Sequence, residues 1–262
     1  MTIIHYTIPL YICHHLKNIF LLNIVNIIIS ENVDNNQQYD IINNNKYYSK
    51  GDEVMSTNSS ISYVSKENNK IYSVFCYSDG YIKHNGIILA TFYGSYNRVK
   101  KLVGMGDISA LAPHIGSSIK TSDDLFLGTD GQSIFYHRDK DEDLHIREYD
   151  SINDIIGKYS YNYIFMNNMW YVQKGEGEFI SLNEQIKDVI ISSNKELKKI
   201  FSLSSLYSMK DYDLLVYRLN NICGDEIVCE PRTEIQQFFK DKHEYRRHLE
   251  NMRRIKDKYG YR

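Results

Sequence analysis

The 262-residue sequence predicts an α+β fold: a small antiparallel sheet with packed helices, followed by a mainly helical C-terminal region. Two observations carry this. Between positions 61 and 173, short runs rich in Ile, Val, Tyr and Phe alternate with turn-forming dipeptides, as strands and hairpins require. Beyond position 177 the apolar residues recur every three or four positions, the spacing of one helix face. A hydrophobic content of 42% with 24% charged residues is that of a chain able to bury a core.

Taken in order, Ile61 to Ser65 and Ile71 to Tyr77 read as strands joined by the polar stretch Lys66 to Lys70. Ser78-Asp79-Gly80 turns the chain, and Asn85-Gly86 is expected to turn it again before the apolar run Ile87 to Phe92. Val99, Leu102 and Val103 give Asn97 to Val103 helical spacing, ended by Gly104 and Gly106. Asp107 is placed to cap a short turn over Ile108 to Ile115. Leu125 to Gly131 reads as a loop, Ser133 to His137 as a strand, and Glu142 to Tyr149 as its partner. Ser151 can cap a helix from Ile152 to Lys158. Tyr161 to Met166 and Met169 to Gln173 flank Asn167-Asn168, a two-residue hairpin signal, with Trp170 and Tyr171 as core or interface aromatics. A boundary falls at Lys174 to Gly177, giving an α+β domain over 55–176 and a helical region over 177–262. In that region Ser181 can cap a helix from Asn183 to Phe201, and Ser208 to Asn221 forms a second. Pro231 opens a third through about Lys258, with Ile235, Phe238, Tyr245, Leu249, Met252 and Tyr259 as its apolar stripe.

Residues 1–54 stand apart. Positions 1 to 50 contain no Gly, Ala, Arg or Trp, and are built from Ile, Asn, Tyr and His, as AT-rich DNA read in frame would be. Lys50-Gly51-Asp52 can be encoded by a ribosome-binding sequence a short spacer ahead of Met55. The expectation is therefore a mis-annotated leader or extension before a protein that starts at Met55. The competing reading, a membrane or signal segment at Ile19 to Ile29, is short of the roughly 20 residues a span needs, and Asn23 and Asn26 interrupt it.

With 31 Lys plus Arg against 33 Asp plus Glu, no bulk charge directs the chain to nucleic acid or membrane. Cys13, Cys76, Cys223 and Cys229 form no C-x-x-C pair, which fits reduced thiols and a cytoplasmic setting. Neither a Gly-rich phosphate loop nor a nucleophile elbow nor a zinc motif occurs, so no cofactor or metal is expected.

One stretch is distinctive: Val74-Phe75-Cys76-Tyr77-Ser78-Asp79-Gly80-Tyr81, then His84-Asn85-Gly86, then Gly106-Asp107-Ile108-Ser109. It resembles a widespread group of uncharacterised phage and prophage accessory proteins with a Tyr-Cys-His-Trp-Asp-Gly-Tyr stretch followed by His-Asn-Gly and Gly-Asp-Ile-Ser. Phe135 to Asp139 and Met169 to Val172 are similar to later elements of that group. The likeness covers about residues 60–175 and departs at Tyr77-Ser78, where the group has His-Trp. It implies a viral or mobile-element origin and no particular chemistry.

Three polar clusters are candidates for function. Asp79, Tyr81, His84 and Asn85 combine an acid and a His with turn-forming residues, as an acid–base site or a binding surface would. His137, Arg138 and Asp139 lie at a strand end ahead of a charged tip. The last helix carries ten Lys/Arg against five Asp/Glu over 231–262, with Arg246, Arg247, Arg253 and Arg254 in pairs that could meet phosphates. The favoured expectation is an accessory protein that binds a host or viral macromolecule, most readily a protein, without catalysis and without membrane contact. Nucleic-acid binding through the last helix and a cryptic enzyme built on His84, His137 and Asp139 are the alternatives.

Overall fold

The computed structural model describes residues 57–117 and 131–259, the side chains of 249, 250, 252, 253 and 255–259 excepted. The leader expectation for residues 1–54, Cys13 and most of the 125–131 loop lie outside the described residues.

The α+β architecture is as expected, and its sheet is larger and more mixed than a small antiparallel one. Eight strands belong to it among the described residues: β1 (Ser59–Val64), β2 (Ile71–Cys76), β3 (Ile108–Ala110), β4 (Ile134–Phe135), β5 (Arg147–Tyr149), β6 (Tyr161–Met166), β7 (Met169–Lys174) and β8 (Ile180–Ser181). Their order is β4-β3-β2-β1-β6-β7-β8, with β5 on the first half of β2. The hairpins β1–β2 and β6–β7 are antiparallel, but they meet through the parallel pair β1–β6, and β3 joins β2 in parallel at Cys76 and Ile108. Asn167 and Asn168 both adopt left-handed φ values, 53° and 60°, which a two-residue hairpin with the native strand twist demands.

Strand parity separates two faces. Ile61, Tyr63, Val74, Tyr163, Phe165 and Val172 belong to the main core beneath the helices. The opposite face carries a smaller cluster of Ile71, Ile155 and Ile164, beside a buried polar row. In that row Ser60 donates to Asn162 (2.8 Å), Asn162 to Gln173 (2.9 Å) and Gln173 to the Gly177 carbonyl (2.6 Å), so buried polar groups of three neighbouring strands are satisfied.

Seven α-helices are described: α1 (Ile87–Phe92), α2 (Tyr96–Val103), α3 (Tyr136–Lys140), α4 (Leu182–Ser192), α5 (Leu197–Ile200), α6 (Met209–Cys223) and α7 (Arg232–Tyr259). The helices beyond 177 share the main core: Leu182, Ile186, Leu215, Leu219, Ile235 and Phe239 are buried in it with the sheet residues. β8 also carries the sheet across the boundary expected at 174–177. Ser208 and Asp211 form a capping box at the start of α6, and Gly224 ends it at φ +78°. Ser151 and Asp154 form another, over a single 3-10 turn at Ile152–Ile155 in place of the longer helix expected.

Several local expectations give way to packing. The helix expected from Asn183 to Phe201 starts at Leu182 with no cap bond from the Ser181 side chain, and it breaks where Asn194 and Lys195 turn left-handed, so that Val228 can accept the Leu197 N–H and donate its own to the Lys195 carbonyl. Asp107 caps nothing: its carboxylate accepts the Phe75 N–H (2.7 Å) and is gripped by both guanidinium nitrogens of Arg147 (2.6 and 2.9 Å). That grip helps seat β5 on β2, so the Glu142–Tyr149 strand does not pair with the 133–137 strand as expected. On α7 it is Phe239 rather than Phe238 that enters the core, and Tyr245 is exposed. The outer stripe residues Leu249, Met252 and Tyr259 fall among the side chains left undescribed.

Candidate binding site

The Asp79–Asn85 stretch forms a built platform. Asp79 takes φ +54°, a conformation that Asp tolerates better than most residues. Gly80 follows because the chain passes against residues 57 and 58: its N–H bonds the Thr57 carbonyl at 2.6 Å. A Cβ at Gly80 would stand 2.6 Å from the Asn58 carbonyl oxygen. The second turn expected at Asn85-Gly86 is absent. Ile82–Gly86 instead coil as a π-turn that runs into α1. Gly86 packs closely there: a Cβ would lie 3.2 Å from Leu182 Cδ1, and that side chain would have to give by a few tenths of an ångström.

Asn85 is fully buried and anchors the turn. Its Nδ2 donates toward Ser59 Oγ (3.2 Å), Cys76 Sγ (3.3 Å) and the Ser78 carbonyl (3.2 Å). That leaves Oδ1 to accept from His84 Nδ1 at 3.0 Å, which fixes the proton on Nδ1 and leaves Nε2 to accept from Ser205 Oγ at 3.2 Å. The ring also stacks on Phe201, centroids 6.0 Å apart and planes 13° apart. Burial holds the His84 pKa below its ordinary value. With both nitrogens engaged and the charged form disfavoured, His84 serves as a strut between the turn and the helical region. Cys76 beneath it is no nucleophile, because burial pushes its thiol up to about 12. Tyr81 donates to Asp79 Oδ1 at 3.1 Å, and burial, aided by the Asp79 charge, pushes its hydroxyl up to about 12.

This scaffold forms one wall of a groove of about 360 Å³. Tyr81, Ile82 and Lys83 line that side; Tyr161, Val172, Lys174 and Ile180 come from β6, β7 and β8; Gln185 and Val189 come from α4. Ser59, Tyr161 and Lys174 are register neighbours across β1, β6 and β7, so Tyr161 and Lys174 share a face. Tyr161 is braced by Tyr163, the rings 6.3 Å apart and 10° from parallel, and the Tyr163 hydroxyl donates to the Gly80 carbonyl at 2.8 Å. The groove is thus fixed to the turn through a fully buried side chain.

Of the sequence-predicted residues, Tyr81 lines the groove, while Asp79, His84 and Asn85 support it. Lys83, Tyr161, Lys174 and Gln185 were not singled out, since they converge only when the parallel β1–β6 pairing brings residues about a hundred positions apart side by side. Hairpin parity alone would have put Tyr161 opposite Lys174.

The second cluster is structural. Arg138 pairs with Asp139 through Nε (2.8 Å) and Nη2 (2.8 Å), and donates to the carbonyls of Ile115 (2.6 Å) and Ser133 (2.7 Å). Asp139 also accepts the Phe135 N–H at 2.8 Å. The expected strand through His137 therefore stops at Phe135 and becomes α3, with Asp141 left-handed at its end. His137 is exposed and its Nδ1 donates to the Glu142 carbonyl (2.8 Å). His84 meets Asn85, Ser205 and Phe201, whereas His137 meets Glu142 and Asp139 meets Phe135 and Arg138.

On α7, Arg246 lies over the Tyr207 ring at 5.7 Å, and Arg247 and Arg254 are exposed; the Arg253 side chain is outside the described residues. Lys242 donates to the Ser204 (2.7 Å) and Leu206 (2.6 Å) carbonyls, pinning the helix to the turn before α6.

Among the described residues, no three His, Cys, Asp or Glu side chains converge as a metal site would. No described helix is long and apolar enough to cross a membrane. Fold and groove together define an α+β protein with a surface groove among its described residues. Compared with known proteins, the chain matches no family model, no curated protein and no solved structure.

Proposed function

We propose that the chain is a phage-like accessory protein that works by binding a host or viral macromolecule in the cytoplasm, with protein recognition at the groove walled by Tyr81–Lys83. The observation that carries this is the division of labour in the turn. Asn85 and His84 are consumed in rigid internal bonds, and Tyr81 and Lys83 are presented outward beside Tyr161 and Lys174. Pre-ordered aromatic and long polar side chains around an apolar floor are what a recognition surface needs. Acid–base chemistry would instead call for a His or carboxylate able to reach a substrate.

The test places a photo-crosslinking amino acid at position 185 of the full chain in expressing cells, on the groove wall but outside the residues argued to bind, with Met169, exposed elsewhere on the sheet, as control site. A discrete adduct from position 185 that Tyr81→Ala abolishes supports the reading. Identical adducts from both sites, or none from 185, overturn it.

Nucleic-acid binding through α7 is the second reading, supported by the exposed side chains of Arg247 and Arg254. Changing Arg246, Arg247, Arg253 and Arg254 to Ala should abolish salt-sensitive heparin retention if it holds. Unchanged retention removes it.

A further inference from the structure

We infer that the groove takes an extended, acidic segment of a partner protein that carries one apolar anchor residue. This rests on the binding reading above and names its chemistry.

The floor specifies the anchor. Ile82, Val172, Ile180 and Val189 line the groove, with Val172 buried and Ile180 42% exposed. An aliphatic or aromatic side chain laid on that floor would bury apolar surface on both partners, as the central residue of an interface does.

The rim specifies the charge. Two cations, Lys83 and Lys174, line the groove, and no Asp or Glu does. Among the described residues Lys70, Lys100, Lys195 and Lys199 each meet a carboxylate within 2.9 Å, while other lysines such as Lys101 and Lys210 stand in water on their own; Lys83 and Lys174 differ from these in sharing one groove. Lys174 has no ion-pair partner among the described residues, and Lys83 donates to the Lys199 carbonyl at 3.2 Å, a neutral acceptor that leaves its charge uncompensated. The acid nearest Lys83 in sequence, Asp79, accepts the Tyr81 hydroxyl, and Glu176, the nearest to Lys174, does not line the groove. A facing carboxylate on each side of the anchor would supply what both lysines lack, and such complementarity sets partner choice and association rate.

The sheet specifies the extended form. Among the described residues β8 ends the strand order, and its Ile180 lines the groove, so a peptide lying in the groove would pass beside a sheet edge.

The experiment uses the full chain with labelled Ile and Val methyls and three pentapeptides: Glu-Glu-Leu-Glu-Glu, Glu-Glu-Gly-Glu-Glu and Lys-Lys-Leu-Lys-Lys. The acidic Leu peptide is expected to shift the methyls of Ile82, Val172, Ile180 and Val189, more weakly as salt rises. Replacing its Leu by Gly should cost about five-fold in affinity, and Lys83→Glu with Lys174→Glu about ten-fold or more. The milder pair Lys83→Gln and Lys174→Gln should weaken binding in the same direction, which covers any folding defect in the double reversal. Equal binding by the basic peptide, indifference to both lysine pairs, or no shift of these methyls overturns the proposal. Shifts produced by AMP or UMP but not by peptide also overturn it, and assign the groove to nucleotides. If crosslinking from position 185 succeeds while the acidic peptide fails, the acidic chemistry falls and the binding reading stands. If both fail, both are lost.

Discussion

His84 Nδ1 lies 3.0 Å from Asn85 Oδ1, and this contact between neighbours converts a candidate acid–base residue into part of a frame. The amide of Asn85 is the centre of that frame, because its other end meets Ser59, Cys76 and the Ser78 carbonyl. Asn85→Ala should cost roughly 1–3 kcal/mol by leaving buried polar groups unpaired. Asn85→Asp keeps the shape but buries a carboxylate against the Ser78 carbonyl. Its stability deficit should therefore be larger at pH 7 than near pH 4, where that carboxylate can protonate. Urea midpoints at the two pH values measure this; a deficit that does not shrink on acidification contradicts it.

The same pair predicts a pH dependence. Burial lowers the folded pKa of His84 below the ordinary ~6.5. Below that value the unfolded chain binds the proton more readily than the folded one, so stability falls as the pH drops from about 6.5 toward the folded pKa. His84→Gln, which removes the titration, should flatten that part of the curve. The informative quantity is the difference between wild type and variant from pH 7 to pH 5. A difference that is constant over this window removes His84 from the account.

Burial pushes the Cys76 thiol up to about 12, with Asn85 and Ser59 opposing the rise. Native protein treated with a thiol reagent at pH 8 should leave Cys76 unlabelled, and unfolding in urea should expose it. Peptide mass spectrometry reads both states. Rapid native labelling at Cys76 would show that the turn opens, and would weaken every statement that depends on its rigidity.

How far such details can be read from the sequence depends on the range of the contacts. The hairpin at Asn167-Asn168, the helix opening at Ser208 and the burial of Trp170 follow from neighbours in the chain, and the structure has them. Asp107 looked like a cap because the local pattern resembles one. Its true partner, Arg147, is 40 residues away, and two charge-assisted bonds outweigh a cap. Asn85-Gly86 looked like a tight turn for the same local reason, but burying the Asn85 amide and seating Gly86 on Leu182 favour a π-turn instead. Tyr81 was visible as a site residue; the Tyr161–Lys174 pair follows from its hairpin, but its place beside the Tyr81 turn does not, since the parallel β1–β6 pairing leaves no short-range trace.

Gly80 offers a steric test of the groove wall. Its Cβ would meet the backbone of Asn58 and Thr57 at 2.6 to 2.7 Å, where no flexible side chain can yield. Gly94 has nothing within 4 Å of the same position. Gly80→Ala should lower the thermal midpoint by several degrees and displace Tyr81, whereas Gly94→Ala should be close to neutral. Equal effects would mean that the passage of the chain beside Gly80 is not tight.

Arg138 and Asp139 separate structural from functional charge. Asp139 is wholly buried as a side chain and Arg138 is 13% exposed, so each is costly without the other. Arg138→Ala would strand the Asp139 carboxylate and free the carbonyls of Ser133 and Ile115, for a loss of about 3–5 kcal/mol. Arg138→Lys should recover only part of this, because an ammonium cannot span the carboxylate and two carbonyls as the planar fork does. Combining Arg138→Met with Asp139→Ala should cost less than the sum of the single changes, since no unpaired charge remains. Chemical denaturation of the four variants decides it. Strict additivity would show that the two side chains do not act as a pair, and would return Arg138 to the list of residues available for binding.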